Sequence, residues 1–433
     1  MCPSVVGSLP APELAGGSSA MWSSAPKPDV AVTVNEKSPL QTSAARDERN
    51  PFSQQWSQNV KLLGDYCRNA LTGDVIAGIT VASVLVPQSM AYALLAGLPP
   101  EMGLYSSLLP LVAYAAFGSS PHLAVGPVSV VCVLIAVQMA EMNLPEEEGP
   151  MISIMMALMA GVVLCLLGVA KLGFVACLLS HAVLSGFMTA VAFIIASEQL
   201  DTFLGFKVDV PHGHFWPKVV AIATNLRKTN PYALGLGVAT ALILLGSTQL
   251  QKRMPKAIWP RATTLALTIL GTFVSYVTDL PSHGVAVVGE LPAGVPQLAL
   301  PVITPSRMTE LLPSVAMLVL VGFVESIAVA KTIAAKVGYE IDADRELIGL
   351  GLSNVASALC GGFPSFGSLS RTPVNYITGA STRFAGVITA LLVLLVVLFL
   401  TPLLRYMPKP VMAAIIIVAV STMADYPCPY PYP

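Results

Sequence analysis

Residues 74–101 read DVIAGITVASVLVPQSMAYALLAGLPPE, and no charged side chain lies between Asp74 and Glu101. A helix that crosses about 30 Å of hydrocarbon needs roughly 20 apolar residues, so this stretch is long enough to span a membrane. Its middle, however, contains Pro87 and Gln88. The stretch therefore predicts a membrane helix whose centre departs from a plain apolar span.

The composition of the whole chain indicates the same class of protein. Of its 433 residues, 55% are hydrophobic and only 11% are charged, whereas a soluble domain carries about 25% charged residues. This composition excludes an ordinary soluble enzyme and a disordered chain. The net charge of −1 provides no positive surface for a nucleic acid. The seven cysteines have no metal-ligand spacing, so the sequence predicts neither a metal site nor a cofactor.

Uncharged stretches between the few charged residues mark the further membrane segments. Residues 102–140 are enough for two segments divided near Gly118–Pro121, and Met308–Lys331 is apolar except for Glu310 and Glu325. The total is twelve segments, some of them too short or too broken to span alone. The other uncharged stretches are 149–170, 172–197, 229–251, 262–278, 347–370, 384–404 and 410–424.

The distribution of lysine and arginine predicts the orientation of these segments. Basic residues precede the first segment and fill the loops after the sixth and eighth, which lie on one side if each segment crosses once. Short basic loops face the cytoplasm, so we expect a multi-pass protein with a cytoplasmic N-terminus. The plasma membrane is the expected location, although loop charge does not identify the membrane. Residues 1–58 are rich in Ser, Pro, Ala and Asn and predict a disordered tail.

Two similar motifs interrupt the apolar pattern. Residues 126–129 (Gly-Pro-Val-Ser) open the third segment, and residues 370–375 (Ser-Arg-Thr-Pro-Val-Asn) open the tenth. Proline is favoured at the first position of a helix, so Pro127 and Pro373 each predict the start of a half-helix within the membrane. The free N–H groups and the positive end of such a helix attract an anion. Two opposed half-helices form the midplane site of inverted-repeat transporters.

Three polar side chains lie where the sequence predicts membrane. Arg371 keeps its charge in proteins and should face a cavity or a partner, unless it lies at the membrane surface. Glu325 is a candidate carrier of a coupling proton, a candidate partner of Arg371, or a group bonded to nearby backbone. Gln88 belongs either to a functional break or to a simple proline kink in which it bonds a neighbour.

These motifs resemble those of the SulP family of anion transporters, the sulfate permease family that includes prestin and pendrin. The resemblance covers roughly residues 60–425, and one departure is Pro121, where the family signature has Lys or Arg. The matching stretches are Asp74–Val81, Val86–Pro100, Pro100–Ser107, Phe323–Lys331, Ser368–Asn375 and Pro408–Val420.

The resemblance implies an all-α membrane fold of seven plus seven segments in inverted repeats, with the third and tenth segments broken into half-helices. A core, here residues 74–170 and 308–404, moves against a gate, here residues 172–280 and 409–424. Within this transmembrane domain of residues 59–425, the last two gate segments are absent. Family members commonly form dimers and end in a cytoplasmic STAS domain, which this sequence lacks.

The resemblance also implies an anion site between the third and tenth segments. Backbone N–H groups would hold the anion, Arg371 would offset its charge, and Tyr92 and Val128 would form an apolar wall. The positions that match the family's site are Gln88, Tyr92, Val128, Ser129, Leu369, Ser370 and Arg371, with Glu325 and Ser326 lining it.

The expected function is secondary active transport of a small anion by alternating access, in proton symport or anion exchange. Sulfate is the default substrate, with bicarbonate, chloride and oxalate as other candidates. Nucleobase transporters share the fold, but Arg371 favours an anion. Residues 426–433 form an aberrant Pro- and Tyr-rich tail. The alternatives are a truncated fragment that transports nothing, a subunit that regulates full-length partners, and a channel-like anion conductor.

Overall fold

The computed structural model describes residues 68–142, 147–174, 181–208, 210, 215–253, 259–289, 291, 294 and 305–424. These residues are mostly helical, as the sequence predicts. The predicted tails, residues 1–58 and 426–433, lie outside the described ranges. In chain order the helices are α1 Arg68–Leu95, α2 Pro100–Tyr105, α3 Leu109–Phe117, α4 Ser129–Glu141, α5 Gly149–Val169, α6 His181–Leu204, α7 Phe215–Asn225, α8 Pro231–Arg253, α9 Trp259–Val277, α10 Pro305–Val337, α11 Ala343–Leu359, α12 Arg371–Ile377, α13 Phe384–Leu395, α14 Thr401–Leu404 and α15 Lys409–Ala424.

Several of these helices are long and apolar enough to cross a membrane. A spanning helix satisfies all of its backbone polar groups internally, which hydrocarbon requires. Among the described residues, five stretches meet the length and composition of a span, and three shorter helices are also apolar. The twelve-segment count stays a prediction. The five are Ala70–Leu95, Gly149–Val169, Pro231–Leu250, Ser306–Val337 and Phe384–Leu404, and the shorter three are Ser129–Glu141, Thr263–Val277 and Lys409–Ser421.

Helices α5 and α11 pack closely through small residues. A Cβ atom on Gly161 would lie 2.7 Å from the backbone nitrogen of Val355, and one on Gly351 would lie 2.5 Å from the Sγ of Cys165. Hydrophobic burial does little to hold helices together in lipid, so close backbone approach at small residues is a main source of packing energy there. Helix α11 also packs against α3, so it contacts both α5 and α3.

Two short strands join the two motifs that the sequence predicts as helix starts. Strand β1, Val125–Gly126, pairs antiparallel with β2, Phe366–Gly367. Helix α4 begins three residues after β1, and α12 begins four residues after β2. Pro127 precedes α4 by two residues, whereas Pro373 lies in the first turn of α12, where its missing N–H has no helical partner to lose. The pairing therefore brings the starts of α4 and α12 together.

Among the described residues, the buried apolar side chains form one large cluster and three smaller ones, and the largest of these three is called the smaller cluster. The large cluster includes residues of α1, α4, α5, α10 and α11. The smaller cluster joins α8 and α9 to α15. Helix α15 contributes to both, because Met412, Ile416 and Val420 lie in the large cluster, while Val411 and Ile415 lie in the small one. Residues four apart share a helix face, so α15 separates the two clusters with its opposite faces.

Candidate functional site

Arg371 lies at the first position of α12, and its side chain is completely buried. Its Nη1 donates a hydrogen bond to Gln88 Oε1 at 3.0 Å, and its Nη2 donates one to the carbonyl oxygen of Pro127 at 2.9 Å. Its Nε has no hydrogen-bond partner. Both acceptors are neutral, so hydrogen bonding fixes the guanidinium without cancelling its charge. The burial shows that protein, rather than solvent or lipid, surrounds the guanidinium.

Gly126 provides the space that the guanidinium occupies. Its φ is +150°, and a Cβ atom there would lie 3.1 Å from Nη2 of Arg371 and 3.4 Å from a methyl group of Leu85. Side chains rarely adopt this backbone conformation, and the contact to Nη2 is tighter than ordinary packing. Glycine in β1 is therefore a condition for the arginine to reach α1 and Pro127.

Gln88 connects the arginine to a network across α1. Helix α1 continues through Pro87, and Gln88 Nε2 donates to the Tyr92 hydroxyl at 2.8 Å and lies 3.4 Å from Ser370 Oγ. The Ser129 side chain is hydrogen-bonded to Tyr92. One network thus joins α1, the start of α4 and the residue before α12. Gln88 thus bonds neighbouring side chains while α1 continues through Pro87, and the functional break at this position stays a prediction.

The first turns of α4 and α12 carry no cap from the side chain that precedes them. Val128 is the N-cap residue of α4, is extended, and has an apolar side chain that accepts no hydrogen bond. Ser370 is the N-cap residue of α12, and its hydroxyl does not cap the helix either. Most helix starts carry an Asn, Asp or Ser cap that accepts from the first turn. Leu369 is half-buried and packs against the large apolar cluster.

Glu325 and Ser326 lie side by side on α10 but differ in their contacts. Glu325 is buried, its Oε2 has no hydrogen-bond partner, and its charge interacts with that of Arg371. Among the described ion pairs closer than 4.0 Å, none joins Glu325 to Arg371. The direct pair stated as one alternative from sequence does not form here. Ser326 Oγ instead donates to the carbonyl oxygen of Gly322 at 2.6 Å and accepts from the Gly367 N–H at 2.8 Å, which fixes β2 to α10.

Two groups that sequence reasoning missed complete the surroundings of the site. The Ser368 hydroxyl lies 3.2 Å from Ser370 Oγ and accepts from the Arg371 N–H at 3.3 Å. Farther away, the buried Glu346 carboxylate accepts from the Tyr114 hydroxyl at 2.9 Å and from backbone N–H groups of residues 119 and 120. The Ser-x-Ser-Arg spacing was a signal for Ser368. The only sequence signal at Glu346 was that it precedes the uncharged residues 347–370.

The fold and the site define an integral membrane protein with several spans and a buried cationic centre. The chain belongs to the sulfate permease family, whose sequence profile matches residues 71–428. The family resemblance stated from the motifs is therefore confirmed. Relatives in the family are named as transporters, so the expectation of a protein other than an enzyme is also confirmed.

The relatives include a chloroplastic sulfate transporter, type 4.1, of Arabidopsis thaliana, which is 38% identical over 379 residues. That match covers 86% of this chain and 52% of the relative, so the chain spans about half the length of that protein. A probable sulfate transporter of Mycobacterium tuberculosis is 34% identical, with 86% of this chain and 65% of the relative covered.

Two solved structures share the fold. The murine Solute Carrier 26 family member A9 anion transporter, in its inward-facing state, superposes with a TM-score of 0.80 at 26% identity. The match covers 90% of this chain and 67% of the murine chain. The transmembrane domain of the cyanobacterial bicarbonate transporter BicA superposes with a TM-score of 0.73 at 27% identity, and 83% of this chain and 91% of that one are covered.

Proposed function

We propose that the chain is a secondary active transporter of small inorganic anions, with sulfate as its first substrate. The observation that carries this proposal is the fully buried Arg371, which is hydrogen-bonded only to neutral acceptors. Burying an uncompensated charge is costly, and a bound anion offsets that cost. Relatives named as sulfate transporters and a structural neighbour named as an anion transporter support the same substrate class.

The proposed binding mode places the anion between the starts of α4 and α12, which act as half-helices beginning near Pro127 and Pro373. The backbone N–H groups of Val128, Ser129 and Ser370 donate to the anion, and the helix dipoles add to the attraction. The first turn of α4, which the apolar side chain of Val128 does not cap, supports this mode. The side chains of Tyr92, Val128 and Leu369 enclose the anion, while Gln88 holds the guanidinium in place.

The proposed transport cycle moves a core against a gate in a fold of inverted repeats. The core comprises residues 74–170 and 308–404, and the gate comprises residues 172–280 and 409–424. The two apolar clusters that α15 separates support a boundary at that helix. We place the protein in the plasma membrane with a cytoplasmic N-terminus, as a homodimer.

We further propose that Glu325 carries a proton that is coupled to the anion. Its buried Oε2 has no partner and its charge interacts with that of Arg371, so anion binding at Arg371 changes the electrostatic environment of the carboxylate. Glu325→Gln removes the titration but keeps the size of the side chain. Sulfate uptake that responds to a pH gradient in the unsubstituted chain and not in this variant identifies proton symport. A response that survives the substitution excludes Glu325 as the carrier.

The test of the proposed function is uptake of labelled sulfate by proteoliposomes that contain the 433-residue chain. Arg371→Ala lowers sulfate affinity about 100-fold, because hydrogen bonds to a charged group contribute up to about 3 kcal/mol. Arg371→Lys keeps a point charge but loses the planar fork, so binding is weakened less. The matched control is Arg405→Ala, because Arg405 is exposed at the end of α14.

Each outcome of this test separates the proposal from its alternatives. Uptake that is lost in Arg371→Ala and kept in Arg405→Ala supports the transporter. A folded chain that takes up neither sulfate, bicarbonate, chloride nor oxalate refutes it, and favours the non-transporting or regulatory subunit. Anion uptake that does not saturate with concentration and proceeds at the rate of a channel favours the channel-like anion conductor.

A further inference from the structure

A cavity of about 470 Å³, lined by both charged and apolar residues, lies beside the C-terminal end of α1. The end of α6, the loop that follows it, α7 and the start of α15 form its other walls. Three lysines and two carboxylates line it, which leaves one positive charge in excess. The charged residues are Lys207, Lys218, Lys409, Glu198 and Asp201.

One of the three lysines is compensated. Lys218 is buried, and its Nζ donates to Asp201 Oδ2 at 2.7 Å and lies 3.6 Å from Glu198 Oε2. Both acidic residues are on α6, so the three side chains fix α7 against α6. This cluster uses both carboxylates that line the cavity and carries a net charge of −1, so the excess positive charge of the cavity comes from the other two lysines.

The other two lysines line the same cavity. Lys207 is exposed and Lys409 is half-buried, and their positive charges lie close enough to repel. Among the described ion pairs closer than 4.0 Å, none includes either lysine. Lys409 is also the first residue of α15, where the helix dipole disfavours a cation and favours an anion. An anion between the lysines relieves both repulsions.

The cavity lies next to the site of Arg371. Ala91 lines the cavity and is the residue before Tyr92, which belongs to the network of that site. Gln88 and Ala91 are three residues apart, so less than one helical turn of α1 separates the two. The opposite wall includes Met412 of α15, which also contributes to the large apolar cluster. The cavity thus lies within about one helical turn of Gln88 along α1.

We propose that Lys207 and Lys409 form a second binding site for a small oxyanion, which concentrates the substrate before it reaches Arg371. This inference rests on the proposed function. Two lysines suit a divalent anion such as sulfate, because each contributes a full charge. The site also explains why the first position of α15 carries a lysine, which the helix dipole alone would disfavour.

The test compares initial rates of sulfate uptake over a range of sulfate concentrations on the cavity's side of the membrane. Removing both charges, in Lys207→Gln with Lys409→Gln, raises KM about fivefold to tenfold and leaves Vmax within about twofold. The difference shrinks as ionic strength rises, because salt screens exposed charges. Lys207→Arg with Lys409→Arg keeps both charges and keeps KM near that of the unsubstituted chain.

The control and the single variant make the result decisive. Lys228→Gln removes a charge from an exposed lysine near the same end of the bundle but outside the cavity, and it leaves KM unchanged. Lys207→Gln alone alters an exposed side chain, so it tests the inference even if the double variant fails to fold. An unchanged KM in a chain that transports sulfate overturns the second site and leaves the proposed function intact. Absence of any anion uptake by the unsubstituted chain overturns the proposed function itself.

Discussion

Gln88→Glu is the sharpest perturbation of the proposed anion site, because it changes one charge and almost no volume. Gln88 Oε1 already accepts from Arg371 Nη1 at 3.0 Å, so a carboxylate oxygen at that place pairs with the guanidinium directly. The variant supplies a permanent internal anion. It competes with any anion from solution for the same positive charge, and it also repels that anion.

The size of this effect follows from the distance. Two unit charges about 4 Å apart interact by about 4 kcal/mol at an effective dielectric constant of about 20. The carboxylate loses part of that gain to its own desolvation, which leaves about 2–3 kcal/mol. Sulfate affinity should therefore fall roughly 30-fold to 150-fold, since about 1.4 kcal/mol corresponds to a factor of ten. Thermal stability should be retained or increased, because the buried charge gains a partner.

Calorimetric titration of the purified chain with sulfate measures this loss, and uptake by proteoliposomes measures its effect on transport. The matched control is Gln138→Glu, which makes the same chemical change at a buried glutamine on α4 that bonds Ser314 instead of Arg371. A Gln88→Glu variant that binds sulfate within about threefold of the unsubstituted chain would refute Arg371 as the charge that binds the anion.

Two further substitutions test the supports of the site. Gly126→Ala places a Cβ atom 3.1 Å from Nη2 of Arg371, at a strained φ. We therefore expect the unfolding free energy to fall by about 1–3 kcal/mol and sulfate binding to weaken. An unchanged melting temperature and an unchanged sulfate affinity would contradict the packing of Gly126 against Arg371. Glu346→Ala leaves the buried Tyr114 hydroxyl and two backbone N–H groups without their acceptor, which costs about 3 kcal/mol or more. Glu346→Gln keeps an acceptor and should lose less, as the midpoints of thermal unfolding in detergent will show.

Charge-poor stretches predicted the long apolar helices well and the breaks between them poorly. The uncharged residues 149–170 correspond to α5, and residues 384–404 correspond to α13, a π-helical turn and α14. Residues 102–140, however, contain part of α2, all of α3 and most of α4. The absence of charge reports where lipid or protein surrounds the chain, but not where the backbone leaves the helix. Proline is equally ambiguous, because α1 continues through Pro87 while α4 begins only after Pro127.

The site could be predicted as a set of residues but not as a geometry. Arg371 and Glu325 stand out as charges in apolar surroundings, and the family resemblance adds Gln88 and Tyr92. The contact between Gln88 and Arg371, by contrast, joins residues 283 positions apart. No local spacing rule encodes such a contact. It depends on the pairing of two strands of two residues each, which is too short to give a sequence pattern.

The distribution of unsatisfied groups connects stability to function. Buried polar groups in folded proteins almost always find partners, and this chain follows that rule at Asp74, which accepts from the N–H groups of Ser381 and Thr382 at 2.7 and 3.1 Å. Among the described residues, three buried side-chain polar atoms lack a hydrogen bond, and two of them belong to Glu325 and Arg371. Each such group costs about 1–3 kcal/mol. Both groups belong to the proposed anion site, so we expect a bound anion or a proton there to offset part of this cost.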